Sequence, residues 1–215
     1  TNKINETTFM FNPGLFKLFD EGIVNCRDHV IRMNEKFKSD DSIQKVTQIN
    51  IEIKDGIISM MNNGNGIDVV KHPEYNVWIP ELIFAHLRTS TNYNKNQKKI
   101  TGGKNGFGFK LVLIWSTYGK IETVDHIRGL KYIQEFENNL DIIHKPSVTK
   151  TKQKPYTKVY FKPDYKRLQM ECLSQQMISL FQRRVYDIAG ITSKDVKVKY
   201  NDNIIKINDF QQYMN

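Results

Sequence analysis

A carboxylate and an amide four residues apart, Glu21 and Asn25, share one face of what the surrounding spacing predicts as a helix, and Asp28 and Arg32 continue the stripe. A carboxylate so placed can accept a proton, and an amide oxygen can coordinate a cation. Mg²⁺ takes few protein ligands and fills its shell with phosphate oxygens and water, so one Asn suffices. The same stripe also reads as the solvated side of an amphipathic helix. Two glycine-rich segments follow. Residues 62–66, NNGNG, hold Gly64 and Gly66, which let a backbone turn tightly and approach a ligand closely, or simply turn. Residues 102–110, GGKNGFGFK, place four glycines in seven residues directly before an apolar stretch. Backbone N–H groups at such a helix start favour anions, phosphate foremost, and Lys104 and Lys110 add charge. The spacing is neither the GxxxxGK[ST] of a P-loop nor a dinucleotide fingerprint, and a glycine hinge without a ligand is the alternative.

These residues must be positioned by the elements around them. Leu15, Phe19, Cys26, Val30, Met33 and Phe37 recur at three- and four-residue steps behind Pro13, which predicts a helix over residues 13–37. Ile49, Ile51 and Ile53 alternate with polar residues, and Asp55-Gly56 turns the chain into a second strand over 57–61. Residues 79–88 predict a short helix opened by Pro80. The polar stretch 89–104 is either a functional loop or disorder. A buried helix is expected over 107–115, strands over 121–124, 132–136 and 157–161, and a turn at Arg128-Gly129. Residues 145–155 read as a basic connection. A helix over 170–189 would stop at Gly190, just past its end, and residues 195–207 form a hairpin turning at 201–203. Hairpins interleaved with helices, without a βαβ rhythm, predict an α+β fold. It would be a two-layer sandwich with a mixed, mostly antiparallel sheet and helices on one face.

Composition narrows the classes. The chain has 215 residues, 39% of them hydrophobic, enough to build a core and against global disorder. No apolar run approaches the roughly 18 residues of a membrane span, so a soluble chain with no membrane partner is expected. Cys26 and Cys172 are too few for a disulfide framework, and no Cys/His cluster has zinc spacing. The opening residue, Thr1 rather than Met, suggests a piece of something longer. A net charge of +9 points to an acidic partner, nucleic acid above all.

The motifs in order, E-x-x-x-N on a helix, N-x-G-x-G after a strand, a polar loop, then G-x-N-G-x-G-x-K opening a helix, resemble the GHKL ATPase superfamily and its Bergerat fold. Within it, PGLFKLFDEGIVN, NNGNGI, WIPELIF, TSTNY, KKITGGKNGFGFKL and RRVYDIAGITSKDVKV are similar to the ATPase region of eukaryotic-type DNA topoisomerase II, densely over residues 12–125 and more loosely over 156–213. The resemblance implies that residues 1–215 are one nucleotide-binding domain for ATP and Mg²⁺. Glu21 matches the general base that polarises the water attacking the γ-phosphate, and Asn25 matches the Mg²⁺ ligand. Arg32 falls near the phosphates, and Asn62 near the adenine with Gly64 and Gly66 beside it. Ser90, Thr91 and Asn92 match a loop contacting phosphate and ribose. Gly103, Lys104, Asn105, Gly106, Phe107, Gly108, Phe109 and Lys110 match the lid and helix start around the triphosphate, with Lys110 joining Glu21 as a catalytic residue. Thr157 fits a hydroxyl beside the adenine pocket.

The resemblance also implies a parent enzyme that dimerises with nucleotide and passes DNA strands. Its place would be the nucleus of a cell, or the host cytoplasm or virion if the source is viral. Family members carry an N-terminal arm with an L-R-P-D-x-Y-I-G segment, and a transducer domain with a Q-T-K loop. Neither is found here, and Gln153-Lys154 are not that loop, so a monomeric fragment nearly inactive alone is expected. His29 stands where the family has an asparagine that reaches the phosphates. Its imidazole could donate one hydrogen bond and gain charge near pH 6.5, or merely face solvent. Phe109 replaces a small residue and Lys104 an arginine, and neither change removes a backbone N–H. Gly22 beside the base has no functional account from sequence. The alternatives are another GHKL ATPase, MutL-like or chaperone, which RRVYDIAG argues against, and a non-catalytic DNA-binding module suggested by charge. For the latter, Lys98-Lys99 and residues 150–154 would be the DNA-facing groups.

Overall fold

The first helix starts on its own cap. In the computed structural model, which describes residues 6, 8–86, 108–207 and 209–214, the Leu15 N–H donates to the Asn12 side-chain oxygen at 2.9 Å, and Pro13 fills the first turn. Helix α1 then runs Pro13–Phe37, the span its periodicity predicts. Strand β1 (Gln48–Lys54) turns through Asp55 and Gly56, both at positive φ, into antiparallel β2 (Ile57–Asn63). Two consecutive left-handed residues make the tight hairpin turn that Asp-Gly favours. Helices α2 (Ile79–Ala85) and α3 (Gly108–Ile114) follow. Then come β3 (Ser116–Val124), β4 (Leu130–Glu137), β5 (Ile142–Ile143), β6 (Ser147–Lys150) and β7 (Tyr156–Pro163). Helix α4 (Gln175–Gly190), β8 (Lys197–Tyr200), β9 (Asn203–Ile204) and α5 (Phe210–Met214) complete the order.

In space the strands run β5-β4-β3-β7-β2-β1-β8-β9, with β6 also pairing β4. Every pairing is antiparallel except β1 with β8, which lies parallel. Alternation sends Ile49, Ile51, Ile58, Met60, Ile121, Val159, Phe161 and Val198 to one face, where they join Phe19 and Ile23 of α1 and Phe181 and Val185 of α4 in one core. Phe19 and Phe181 stack with centroids 4.1 Å apart, fixing α1 against α4. The opposite face is polar. Lys158 pairs with Glu52 and Lys131 with Glu122, each at 2.8 Å, and the Lys120 ammonium sits 4.2 Å from the Tyr160 ring centroid. The fold is thus the expected α+β sandwich, helices on one face of a mixed, mostly antiparallel sheet. No helix among the described residues is long and apolar enough to cross a membrane.

Four local expectations are corrected. The helix expected from residue 170 begins at Gln175, because the Ser174 hydroxyl accepts from the Met177 N–H at 3.2 Å and caps it there. Gly190 belongs to the last turn of that helix rather than lying past it. A Cβ there would sit 3.0 Å from Cβ of Tyr213, so the missing side chain makes room for α5. The connection over 145–155 contains β6, and β3 begins at Ser116, five residues before the expected strand. Both depend on distant partners, β6 on β4 and the start of β3 on β7, where Ser116 lies across from Pro163, and local alternation reveals neither.

Candidate functional site

Two glycines let α1 settle against its neighbours. A Cβ on Gly22 would lie 2.4 Å from the Met60 sulfur and 3.4 Å from the Phe109 ring. Met60 is 1% exposed, so making room for that Cβ would mean repacking the core. A helix-interior glycine costs about 1 kcal/mol relative to alanine, and here it brings α1 down onto β2 and α3. On Gly108, the first residue of α3, a Cβ would lie 2.1 Å from Oε2 of Glu21. Glu21 therefore faces the start of α3, and a Cβ there would displace its carboxylate. Its other oxygen accepts a 2.8 Å ion pair from Lys17, one turn earlier. The Phe109 side chain is core packing, edge-on to Phe84 and Phe161 at 5.3 and 6.1 Å. Lys110 is 2% exposed, and burial lowers its pKa.

Along α1 beyond Glu21, Asn25 is half-buried, and its amide makes no hydrogen bond among the described residues. Asp28, expected on the polar stripe, is buried at 3% exposure, while Arg32 is exposed. His29 does not face solvent. Its Nε2 is buried without a hydrogen-bond partner among the described residues, and a Cβ on Gly64 would lie 3.1 Å from it. Burial first, then the charges of Arg32 and Lys36, push its pKa down to about 4, so the ring stays neutral at pH 6.5, where sequence alone would let it charge. The unfolded chain takes up a proton near pH 6.5 that the fold refuses until about pH 4, so stability falls as pH drops through that window. Between pH 7 and 5 the loss from this group is expected to be about 2 kcal/mol. His29→Gln should remove that share, as denaturant midpoints of both proteins at the two pH values will show.

The NNGNG segment uses alternate residues for structure. Asn63 accepts from the Thr47 and Gln48 N–H groups at 2.8 and 2.9 Å, and Asn65 accepts from the Gln44 N–H at 2.6 Å. Gly64 and Gly66 have φ of 115° and 72°, in the region that favours glycine. Asn62 is left on the inner face, 8% exposed, directly across from Thr157 on β7, which in turn lies across from Thr123 on β3. The Thr123 hydroxyl donates to the Tyr156 carbonyl, accepts from the Ile67 N–H, and lies 3.0 Å from the Thr157 hydroxyl. Three strands thus contribute one polar row at the end of an apolar face. Asp125 ties the following loop down. Burial opposes its charge, but the Arg128 guanidinium and the N–H groups of Val69, Arg128 and Ile127 outweigh it and hold the carboxyl below its ordinary range.

Of the residues expected at the site, Glu21 meets Gly108 beside Phe109 along α1, where Gly22 packs on Met60 and Phe109, and His29 meets Gly64. Asn62 and Thr157 pair across strands. Ser90, Thr91, Asn92, Gly103, Lys104, Asn105, Gly106 and Phe107 lie outside the described residues, as do Lys98 and Lys99. Thr123 and Asp125 went unnoticed in sequence. They end an alternating strand, and nothing local marks them. Among the described residues no group of three or more His, Cys, Asp or Glu side chains could hold a metal ion, so a cation here would depend on few protein ligands. A separate cleft of about 370 Å³, lined by Thr8, Phe9, Phe11, Phe16 and Leu180, offers aromatic walls without titratable groups.

No protein-family model matches the chain. A DNA topoisomerase 2 of Acanthamoeba polyphaga mimivirus is 44% identical over 202 residues, covering 94% of this chain. That of Saccharomyces cerevisiae is 43% identical over 203 residues, again 94% of the chain. The chain spans 15% and 14% of the length of these two relatives. The crystal structure of the ATPase region of Saccharomyces cerevisiae topoisomerase II superposes with a TM-score of 0.86 at 42% identity, covering 94% of this chain and 51% of that one. With this agreement in sequence and in the helix, sheet and loop geometry described above, the chain belongs with the ATPase region of the eukaryotic-type DNA topoisomerase II family.

Proposed function

We propose that this chain binds Mg²⁺–ATP and hydrolyses it, as the nucleotide-binding domain of a type II DNA topoisomerase whose remaining domains lie outside residues 1–215. The observation that carries the reading is the convergence on α1. Glu21 is pressed against the first residue of α3, Asn25 follows one turn later, and the Gly64 loop packs on the same helix at His29. A proton acceptor, a cation ligand and two glycine-permitted close approaches share one surface. Phosphoryl transfer requires such positioning more than covalent chemistry.

In this reading Glu21 accepts the proton of the water that attacks the γ-phosphate, and Gly108 keeps space for its carboxylate. The Asn25 oxygen would be the protein ligand for Mg²⁺, and its half-buried place one turn after Glu21 fits that use. When bound, the ion would neutralise charge on the phosphates. Asn62 with Thr157 and Thr123 receives the adenine edge, and Gly64 and Gly66 let the backbone pass close to it. Arg32, together with Ser90, Thr91, Asn92 and the 103–110 segment, supplies the remaining phosphate and ribose contacts, those of Phe109 through its backbone. The +9 charge then has a triphosphate as its nearest anion. DNA, and a dimer that closes with nucleotide, are partners of the parent enzyme. That enzyme works in the nucleus, or in the host cytoplasm or virion for a viral source.

Calorimetric titration with a non-hydrolysable ATP analogue and Mg²⁺ tests the reading. The wild-type chain is expected to bind, and Asn25→Ala to weaken binding at least about tenfold in Mg²⁺. Unchanged affinity in that variant would remove Asn25 from the metal, and no binding by the wild type would leave a DNA-binding module as the better account.

A further inference from the structure

We propose that Lys17 is a positioning residue for the Glu21 carboxylate, holding one oxygen so that the other points at the start of α3; this rests on Glu21 being the general base. The two carboxylate oxygens are not equivalent in the fold. Oε1 lies 2.8 Å from the Lys17 ammonium, and Oε2 faces Gly108, where a Cβ would come within 2.1 Å. Lys17 is the partner the Glu21 side chain has among the described residues. The pair is therefore a two-sided grip, a charge on one oxygen and a backbone against the other.

Helix stability does not account for the arrangement. A Lys one turn N-terminal to a Glu is the weaker order of such a pair, and a cation in the opening turns of a helix opposes the macrodipole. Lys17 follows Pro13 by one turn, and the first turn of α1 holds no acidic residue to compensate. Nor is the ammonium held mainly by its other neighbour. Asp20 lies 3.7 Å away, and its carboxylate is engaged by Arg184 of α4 at 2.8 Å. The Glu21 hydrogen bond is the largest influence on Lys17 and raises its pKa, so the ammonium keeps its charge at neutral pH. The Lys17 side chain is 64% exposed, and exposed ion pairs contribute little to folding. Its loss should therefore appear in turnover and not in stability.

The experiment measures ATP hydrolysis by the full-length enzyme, with Lys17→Met and Lys17→Arg in the wild-type and Glu21→Gln backgrounds. Lys17→Met is expected to lower kcat about tenfold, with KM, analogue affinity and melting temperature unchanged. Lys17→Arg, which keeps the charge, should restore kcat to within about twofold of wild type. In the Glu21→Gln background, followed as single-turnover rates, Lys17→Met should have no further effect, because the two residues act as one unit. An unchanged kcat in Lys17→Met, a Lys17→Arg variant as slow as Lys17→Met, or an equal loss in the Glu21→Gln background would each overturn the proposal. So would a raised KM with normal kcat, which would make Lys17 a nucleotide contact. Full turnover by Glu21→Gln alone would overturn the general-base reading itself, a result distinct from any that concerns Lys17.

Discussion

Glu21→Gln is expected to cut ATP turnover by the full-length enzyme about 100-fold or more, while a non-hydrolysable ATP analogue binds within about twofold of wild type. The glutamine amide has the shape of the carboxylate and fits the space that Gly108 leaves open, so α1 and α3 keep their contact. What it lacks is the capacity to take the proton of an attacking water at neutral pH. The Glu21 side chain is 28% exposed, outside the apolar core, so folding should not suffer. Steady-state hydrolysis and analogue calorimetry on the same preparation separate the two effects. A variant that hydrolyses ATP normally would end the assignment of Glu21 as base, whatever its affinity.

The second large effect concerns the fold beneath the site. Gly66→Ala is expected to destabilise the chain by about 3 kcal/mol or more, a large share of the roughly 5–15 kcal/mol that holds a domain together. A Cβ on Gly66 would lie 1.9 Å from the Val124 carbonyl oxygen, which is backbone at the end of β3, held there between β4 and β7, and not a side chain free to rotate away. Gly56 supplies the control. Its φ of 73° matches the 72° of Gly66, yet the nearest atom to its Cβ would be 3.6 Å away on the Tyr165 ring. Gly56→Ala should therefore cost only the left-handed backbone penalty, about 1 kcal/mol. Denaturant unfolding of both variants isolates the close approach as the difference between them. Equal costs would mean that backbone conformation alone requires Gly66. In the larger loss, the loop would also release the Ile67 N–H from Thr123 and the Val69 N–H from Asp125.

Local patterns carried much of the architecture. Apolar steps of three and four residues defined α1 to its ends, Asp55-Gly56 marked its hairpin, and Asn201-Asp202 likewise turned β8 into β9 with both residues at positive φ. These features arise within a few residues of chain, where periodicity and turn chemistry decide conformation. The expected boundaries failed where a distant partner set them: β6 exists because β4 offers an edge, and Gly190 is a glycine because Tyr213 lies against it. Gly22 shows the same limit in the site, since the need for it comes from Met60, 38 positions away in sequence and 1% exposed.

By itself, then, the sequence determined which chemistry the chain could carry: a carboxylate and an amide at helical spacing, two glycine-rich segments, and a threonine on a strand. Spacing along a helix or a turn is a short-range property, legible without knowing the rest of the fold. Only the tertiary structure decided how those groups meet. It set Gly108 against one oxygen of Glu21 while Lys17 holds the other, and it aligned Asn62, Thr157 and Thr123 across three strands. It also buried His29 into neutrality. Each of these depends on strand register, helix docking or burial, which bring together residues far apart in the chain, and no local pattern encodes which distant atom will lie 3 Å away.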